Sequence, residues 1–159
     1  MTATVPALLL LLWLAAGVCG AQEAVRSGPE LDLASLVGLT LPQTFELLGA
    51  PEQMFSARGE EGWQDDVVFY YPSHLYLFWY RNRVWQARVD EHHDGSFLAS
   101  PALAMGASRE QALAALGPPM RELGDSLVYH LEDRGYPVRL RLYFRDGQLA
   151  DAYCFRGDL

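Results

Sequence analysis

Residues that could bind a metal ion or perform acid–base chemistry are concentrated in one short stretch near the middle of the chain. Five adjacent or nearly adjacent residues there carry side chains that bind metal ions, namely Asp90, Glu91, His92, His93 and Asp94. Neighbours in a linker rarely direct their side chains at one ion, and no histidine pair has the spacing of a motif such as HExxH. His74 and His130 are isolated in the sequence. We therefore expect no metal site.

Other catalytic signatures are weak. No serine lies in a Gly-x-Ser-x-Gly motif, so a hydrolase nucleophile is not indicated. The carboxylates of Glu60, Glu61, Asp65 and Asp66 crowd one polar segment and are typical of a solvated acidic loop. Cys154 stands in an apolar, strand-like segment and is expected to be a small buried hydrophobe. We predict a protein that is not an enzyme and that uses no cofactor.

Composition narrows the class of partner. The chain has 159 residues, enough for one compact domain or two very small ones, and a net charge of −8. Its 12 basic residues are all arginine and are scattered along the sequence. An acidic balance with dispersed arginines argues against a nucleic-acid surface. Nucleic acid is therefore not an expected partner.

The N-terminus resembles an export signal. Residues 7–18 form an apolar run of about a dozen residues, which is shorter than the roughly 20 needed to span a bilayer. Small residues follow at Cys19, Gly20 and Ala21, so residues 1–21 are predicted to be a signal peptide. Two fates of Cys19 stay open: removal with the leader, or lipid modification as in bacterial lipoproteins. The predicted location is periplasmic or secreted, with a lipid anchor as the alternative, and only that anchor would bring the protein to a membrane.

A 14-residue pattern occurs twice. Residues 38–51 and 106–119 each begin with glycine and end Leu-Gly-x-Pro. Thr40 with Gln43, and Ser108 with Gln111, have the spacing of a capping box, so helices are predicted over residues 41–48 and 109–116. The glycine and proline that follow favour helix termination. Such a repeat predicts one small unit used twice.

Three strands are predicted after each helix. In the first copy they span residues 67–71, 75–80 and 84–89, and in the second 127–131, 138–144 and 149–155. The predicted fold is α+β: two tandem repeats, each a helix plus a three-stranded antiparallel meander, with the helices packed on one face of the sheet. Residues 34–90 form repeat 1, residues 91–101 a linker, and residues 102–157 repeat 2.

Alternation along the strands predicts which side chains face away from the helices. Aligning Tyr80 with Phe144 transfers the register of the second copy to the first. The residues expected to form an exposed binding surface are Leu75, Leu77, Trp79, Arg88, Arg139, Arg141, Tyr143 and Tyr153. Trp, Tyr and Arg dominate binding hot spots, so this surface is predicted to dock a protein. The alternative is that the apolar residues of the first copy are covered within the chain.

The combined pattern resembles the SmpA/OmlA (BamE-like) family. The resemblance rests mainly on the second copy, with Ser108, Gln111, Leu116, Gly117, Pro119, Tyr143, Phe144, Asp146 and Gly147. The first copy departs from it, with Arg81-Asn82-Arg83 at the turn. The tandem arrangement is similar to that of the β-lactamase inhibitor proteins. These resemblances imply a non-enzymatic, exported protein for envelope assembly or protein binding, whose partner is another envelope or secreted protein. The alternatives are an inhibitor of an extracellular or periplasmic enzyme and a small-ligand carrier.

Overall fold

The structure, a computed structural model, describes residues 31–58 and 66–159. The expected signal peptide with Cys19, and three residues of the acidic segment, lie outside the described residues; the three are Glu60, Glu61 and Asp65. In the described part of the chain, no helix combines the length and apolarity needed to cross a membrane.

Eight strands form one antiparallel sheet, in the order β1-β2-β3-β4-β10-β9-β8-β7. The strands of the first half are β1 Gln53–Ala57, β2 Asp66–Tyr71, β3 Leu75–Tyr80 and β4 Arg83–Asp90. Those of the second half are β7 Arg121–Leu123, β8 Ser126–Asp133, β9 Pro137–Arg145 and β10 Gln148–Arg156. The halves join where β4 pairs with β10, with Ala87 opposite Cys154. A separate hairpin, β5 Ser96–Leu98 and β6 Leu103–Ala104, lies between the halves in sequence.

Three short helices accompany the sheet: α1 Leu33–Leu36, α2 Leu41–Leu48 and α3 Arg109–Leu116. The helices predicted from the capping boxes are confirmed. The Thr40 N–H donates to Gln43 Oε1 at 2.9 Å, and the Ser108 N–H donates to Gln111 Oε1 at 2.7 Å. Gly49 and Gly117 end these helices with φ of 75° and 76°, a conformation that residues with a Cβ rarely adopt.

The core lies between the helices and one face of the sheet. It combines apolar residues of α1 and the β5–β6 hairpin with alternate residues of the central strands. Leu33, Phe97, Leu77 and Leu142 are fully buried within it. Cys154 is buried in the same cluster, as the sequence predicted.

The predicted fold of two helix-plus-three-strand repeats is wrong. The structure is dominated by a single continuous eight-stranded sheet, and strands β1 and β7 were not predicted. Both are short edge strands whose residues are mostly exposed. They lack the apolar alternation that marks a half-buried strand, so the sequence pattern indicated no strand at either place. Part of the expected linker over residues 91–101 also forms structure, because β5 pairs with β6.

The predicted register of β3 is also wrong, by one residue. Tyr80 pairs with Arg83 across a two-residue turn, just as Arg145 pairs with Gln148. Tyr80 therefore corresponds to Arg145 and not to Phe144. A slip of one residue moves every side chain of a strand to the opposite face. Leu75, Leu77 and Trp79, expected to be exposed, are 4%, 0% and 8% exposed and belong to the core.

Candidate functional site

The face of the sheet that points away from the helices is here named the open face. Pairing registers place nine of its central side chains on four adjacent strands. They are Tyr76 and Phe78 of β3, Gln86 and Arg88 of β4, Tyr153 and Phe155 of β10, and Arg139, Arg141 and Tyr143 of β9. None of them belongs to the core cluster, and each is at least partly exposed.

Five of the eight residues predicted for the binding surface lie together on the open face: Arg88, Arg139, Arg141, Tyr143 and Tyr153. The other three, from β3, are in the core. Tyr76 and Phe78 take their place, so the face keeps its aromatic character. The alternation in β3 could have revealed this, because Leu-x-Leu-x-Trp is more apolar than the intervening Tyr-x-Phe-x-Tyr.

The centre of the open face is an arginine held between two tyrosine rings. The guanidinium carbon of Arg88 lies 5.4 Å from the ring centre of Tyr76 and 5.5 Å from that of Tyr153. Its Nε donates to Asp151 Oδ1 at 2.6 Å, across the β4–β10 seam. Burial, the largest single influence, would lower the pKa of Arg88, but the hydrogen bond to Asp151 and the charge of that carboxylate, with smaller effects of Tyr153 and Asp90, together raise this pKa. Arg88 is therefore a fixed cation that ties the two halves together.

A second carboxylate, Asp90, lies directly opposite Asp151 in the sheet. Its Oδ2 accepts a hydrogen bond of 3.0 Å from the Tyr76 hydroxyl, and its Oδ1 accepts one of 3.0 Å from the His92 backbone N–H. Burial alone would raise the pKa of Asp90, but these hydrogen bonds together lower it below its usual value. A general acid at neutral pH needs a raised pKa, so the lowered pKa of Asp90 does not suit this carboxylate to that role.

Two arginines on β9 extend the positive charge of the open face. Within the described residues, neither Arg139 nor Arg141 forms an ion pair, and Arg139 Nε is buried without a hydrogen-bond acceptor. Arg141 borders a shallow groove of about 290 Å³, whose other lining residues include Trp85, Gln86, Tyr153 and Phe155. A groove with an arginine and aromatic rings at its walls can hold a carboxylate next to an apolar side chain.

One edge of the open face carries a cluster that sequence spacing did not predict. His74, in the turn between β2 and β3, lies beside Asp90 at the end of β4 and His92 just beyond it. The His74 and His92 rings stack with their centres 5.0 Å apart. Asp90 and His92 were recognised as candidate ligands, but His74 joins them only through the sheet pairing of β3 with β4. His93 points elsewhere, with Nδ1 2.6 Å from the Ser73 carbonyl oxygen.

A separate cleft lies on the helix side of the first half. Its volume is about 570 Å³, within the usual range for small-molecule sites. Its described lining includes Leu41, Val67, Phe69, Trp79 and Arg81. The indole Nε1 of Trp79 is buried and donates no hydrogen bond within the described residues. Among the described residues, the cleft thus combines a largely apolar surface with the Trp79 indole N–H, a buried donor that has no acceptor there.

The corresponding region of the second half carries an ion pair. Arg109 begins α3 as Leu41 begins α2, and it extends over the Phe144 ring at 5.8 Å. Its Nη2 donates to Glu122 Oε2 at 2.7 Å. Met54 in β1 takes the position that Glu122 has in β7, because each faces the equivalent residue of the next strand. In the described part of the chain, Leu41 and Met54 of the first half thus take the positions that a salt bridge occupies in the second half.

Comparisons with known proteins identify a similar fold and no family. No protein-family model matches the chain, and no curated protein matches it significantly. Among solved structures, the chain is similar to an extracellular protein containing a SCP domain from Bacillus anthracis str. Ames, with a TM-score of 0.54 and 12% identity. The match covers 86% of this chain and 49% of that protein, so the chain spans about half its length. At this identity the similarity concerns the fold alone, and the SmpA/OmlA resemblance stays a prediction.

Proposed function

We propose that the protein is a non-enzymatic, exported docking module whose open face binds an acidic segment of another protein. The observation that carries this proposal is the pairing of uncovered aromatic rings with arginines on one face of a chain whose net charge is −8. Arg139 and Arg141 thus present two positive charges, without a counter-ion among the described residues, on a chain that is acidic as a whole. A complementary partner presents carboxylates next to apolar side chains.

The energetics of the open face support binding more than stability. Arg139 and Arg141 make no ion pair within the described residues, so no such pair of theirs stabilises this part of the fold. Tyrosine and arginine are the residue types that carry the largest share of binding free energy in protein interfaces. Hydrogen bonds from arginine to a carboxylate are about twice as strong as neutral ones and often bidentate. Carboxylates of an acidic segment could therefore bind both arginines without breaking an ion pair among the described residues of the sheet.

The proposal of a non-enzymatic role is supported by how the reactive groups are used. Asp151 is hydrogen-bonded to Arg88, and Asp90 to Tyr76 and His92. The Cys154 thiol is buried, and burial raises its pKa, which disfavours the nucleophilic thiolate. The two carboxylates are thus engaged in hydrogen bonds within the sheet, and the thiol is held in its less nucleophilic form.

Selection of binding peptides from a displayed random library would test the open face directly, because the library covers many candidate sequences at once. Sequences enriched on the wild-type protein should be rich in Asp and Glu with interspersed apolar residues. Their affinity should fall about tenfold or more for Arg141→Gln and for Arg139→Gln, and should weaken as salt increases. Arg145→Gln is the matched control, because this arginine of the same strand is already paired with Glu91 at 2.8 Å. Peptides without acidic enrichment, or with unchanged affinity for Arg141→Gln, would overturn the proposal.

Export belongs to the proposal and is supported by the apolar run over residues 7–18 and the small residues after it. The mass of the mature protein from its native host tests this point. Cleavage after Ala21 removes Cys19, whereas lipidation adds acyl chains to Cys19. An unprocessed chain in the cytoplasm would contradict export.

A second candidate function, carriage of a small apolar ligand, is favoured by the cleft beside Trp79. The double variant Leu41→Arg/Met54→Glu would copy the Arg109–Glu122 pair of the second half and cover the cleft. If the cleft binds ligands, an apolar fluorescent probe such as 1-anilinonaphthalene-8-sulfonate should quench Trp79 in the wild type and not in the double variant. Equal probe binding by both proteins would exclude the cleft as the site.

A further inference from the structure

Three potential metal ligands converge at the edge of the open face. His74 Nδ1 lies 3.3 Å from Asp90 Oδ1, and His92 Nδ1 lies 3.4 Å from the same oxygen. The three donor atoms all lie within 4.8 Å of one another. Zinc bonds to nitrogen and oxygen are about 2.0–2.1 Å long, so neighbouring ligands of a tetrahedral ion are about 3.3 Å apart. Each of the two histidine-to-aspartate distances is therefore close to the edge length of such a tetrahedron.

The simpler interpretation, two ordinary His–Asp hydrogen bonds, accounts for the cluster less well. Two ring nitrogens face a single carboxylate oxygen that already accepts the His92 backbone N–H. His74 Nδ1 is buried and has no hydrogen bond of acceptable geometry.

The surroundings of the cluster resemble those of a metal site. The Tyr76 hydroxyl donates to Asp90 Oδ2 at 3.0 Å, which orients the carboxylate and leaves Oδ1 toward the histidines. Hydrogen bonds of this kind to a ligating carboxylate position it for a metal and tune its basicity. Ser73 and His74 have φ of 65° and 56°, so the turn holds His74 in an uncommon backbone conformation that directs it to Asp90.

We propose that His74, Asp90 and His92 bind a divalent transition-metal ion, with Zn²⁺ as the expected occupant. Two imidazole nitrogens and one carboxylate oxygen suit Zn²⁺, whereas Mg²⁺ and Ca²⁺ require oxygen ligands. Three protein ligands leave a fourth position for water or for a side chain of a partner. The ion would link the β2–β3 turn to the end of β4. This inference goes beyond the proposed docking function and does not depend on it.

Calorimetric titration of the tag-free full-length chain with ZnCl₂ tests the site. The wild-type protein should bind one Zn²⁺ per chain, and His74→Ala, His92→Ala and Asp90→Asn should each weaken binding at least tenfold. His130→Ala is the matched control, because this histidine lies on β8 beside Asp133, away from the cluster. Circular dichroism confirms that each variant is folded, and MgCl₂ should give no binding heat.

Two further readouts identify the ligands independently of affinity. Zn²⁺ should raise the melting temperature of the wild type and of His130→Ala but not of His74→Ala, because only the first two retain the link between turn and strand. Co²⁺ in place of Zn²⁺ should give visible absorption bands of a four-coordinate ion. Absence of Zn²⁺ binding by the folded wild type, or unchanged binding by both His74→Ala and His92→Ala, would overturn the proposal.

Discussion

Replacing Arg88 by alanine should destabilise the protein far more than removal of an ordinary surface arginine. The Arg88 side chain is 30% exposed and that of Asp151 12%, and their hydrogen bond of 2.6 Å crosses the seam between the two halves of the sheet. Arg88 also contacts the rings of Tyr76 and Tyr153. The substitution removes all three interactions and leaves Asp151 opposite Asp90 without its cation.

The magnitude follows from these contacts. A hydrogen bond between charged groups contributes about 1.5–3 kcal/mol, and each partly shielded cation–π contact about 0.5–1 kcal/mol. Partial exposure of Arg88 reduces the sum, so the expected loss in the free energy of unfolding is about 2–4 kcal/mol. Arg145→Ala is the control. Arg145 and Glu91 also form an ion pair of 2.8 Å, but their side chains are 55% and 45% exposed, and such pairs contribute about 0–1 kcal/mol.

Urea unfolding followed by circular dichroism measures both losses, provided that the dependence of the unfolding free energy on urea is unchanged. A double-mutant cycle with Asp151→Ala isolates the pair. The coupling energy between positions 88 and 151 should be about 1–3 kcal/mol, because the double variant leaves no unpaired charge. An Arg88→Ala loss no larger than that of Arg145→Ala, or a coupling near zero, would refute the reasoning.

Three more predictions concern the interior and the tyrosines Tyr71 and Tyr153. Leu77→Ala should lower the free energy of unfolding in urea by about 2–5 kcal/mol, because Leu77 is fully buried. Leu47→Ala, on the exposed side of α2, should change it by less than about 0.5 kcal/mol. Small effects of both substitutions would contradict the register of β3. In a Cys19→Ser background, Cys154 should not react with Ellman's reagent at pH 8 until the protein is unfolded. The reason is that burial excludes the reagent and raises the pKa of the thiol. Complete reaction of Cys154 in the folded protein within minutes would contradict its burial. Burial raises the pKa values of Tyr71 and Tyr153 above their ordinary value of 10.0, so the unfolded state loses these protons first. Stability is therefore fully present below about pH 10 and is lost as pH rises through the folded-state pKa values. Absorbance at 295 nm should show a late-titrating component that Tyr153→Phe diminishes, and titration of all tyrosines near pH 10 would argue against this.

Local signals predicted the helices but not the whole sheet. The capping boxes at Thr40 and Ser108 identified α2 and α3 with their observed bounds, because these contacts span only three residues. The edge strands β1 and β7 were missed because an edge strand exposed on both faces carries no apolar alternation. Their existence depends on hydrogen bonds from β2 and β8, which no local pattern records.

The candidate sites likewise contain residues that local alternation predicted and residues that it did not. The face carrying Arg139, Arg141 and Tyr143 was predicted, since alternation along β9 is regular. In β3, the turn at Arg81-Asn82 was aligned one residue out of step, and alternation then transferred the error to the whole strand.

Contacts that join distant parts of the chain left no local signal. His74 meets Asp90 16 residues later, and Arg109 meets Glu122 on another element; both contacts form only because strands and helices are brought together by the fold. Neither spacing corresponds to a short sequence motif.

The position at which an acidic peptide binds tests the central claim most directly. Intermolecular NMR contacts can be recorded between the protein and the tightest peptide selected from the displayed library. The account predicts contacts from that peptide to the rings of Tyr143 and Tyr153 and to the guanidinium of Arg141. Contacts confined to α2 and the cleft beside Trp79, with none to these three side chains, would contradict it.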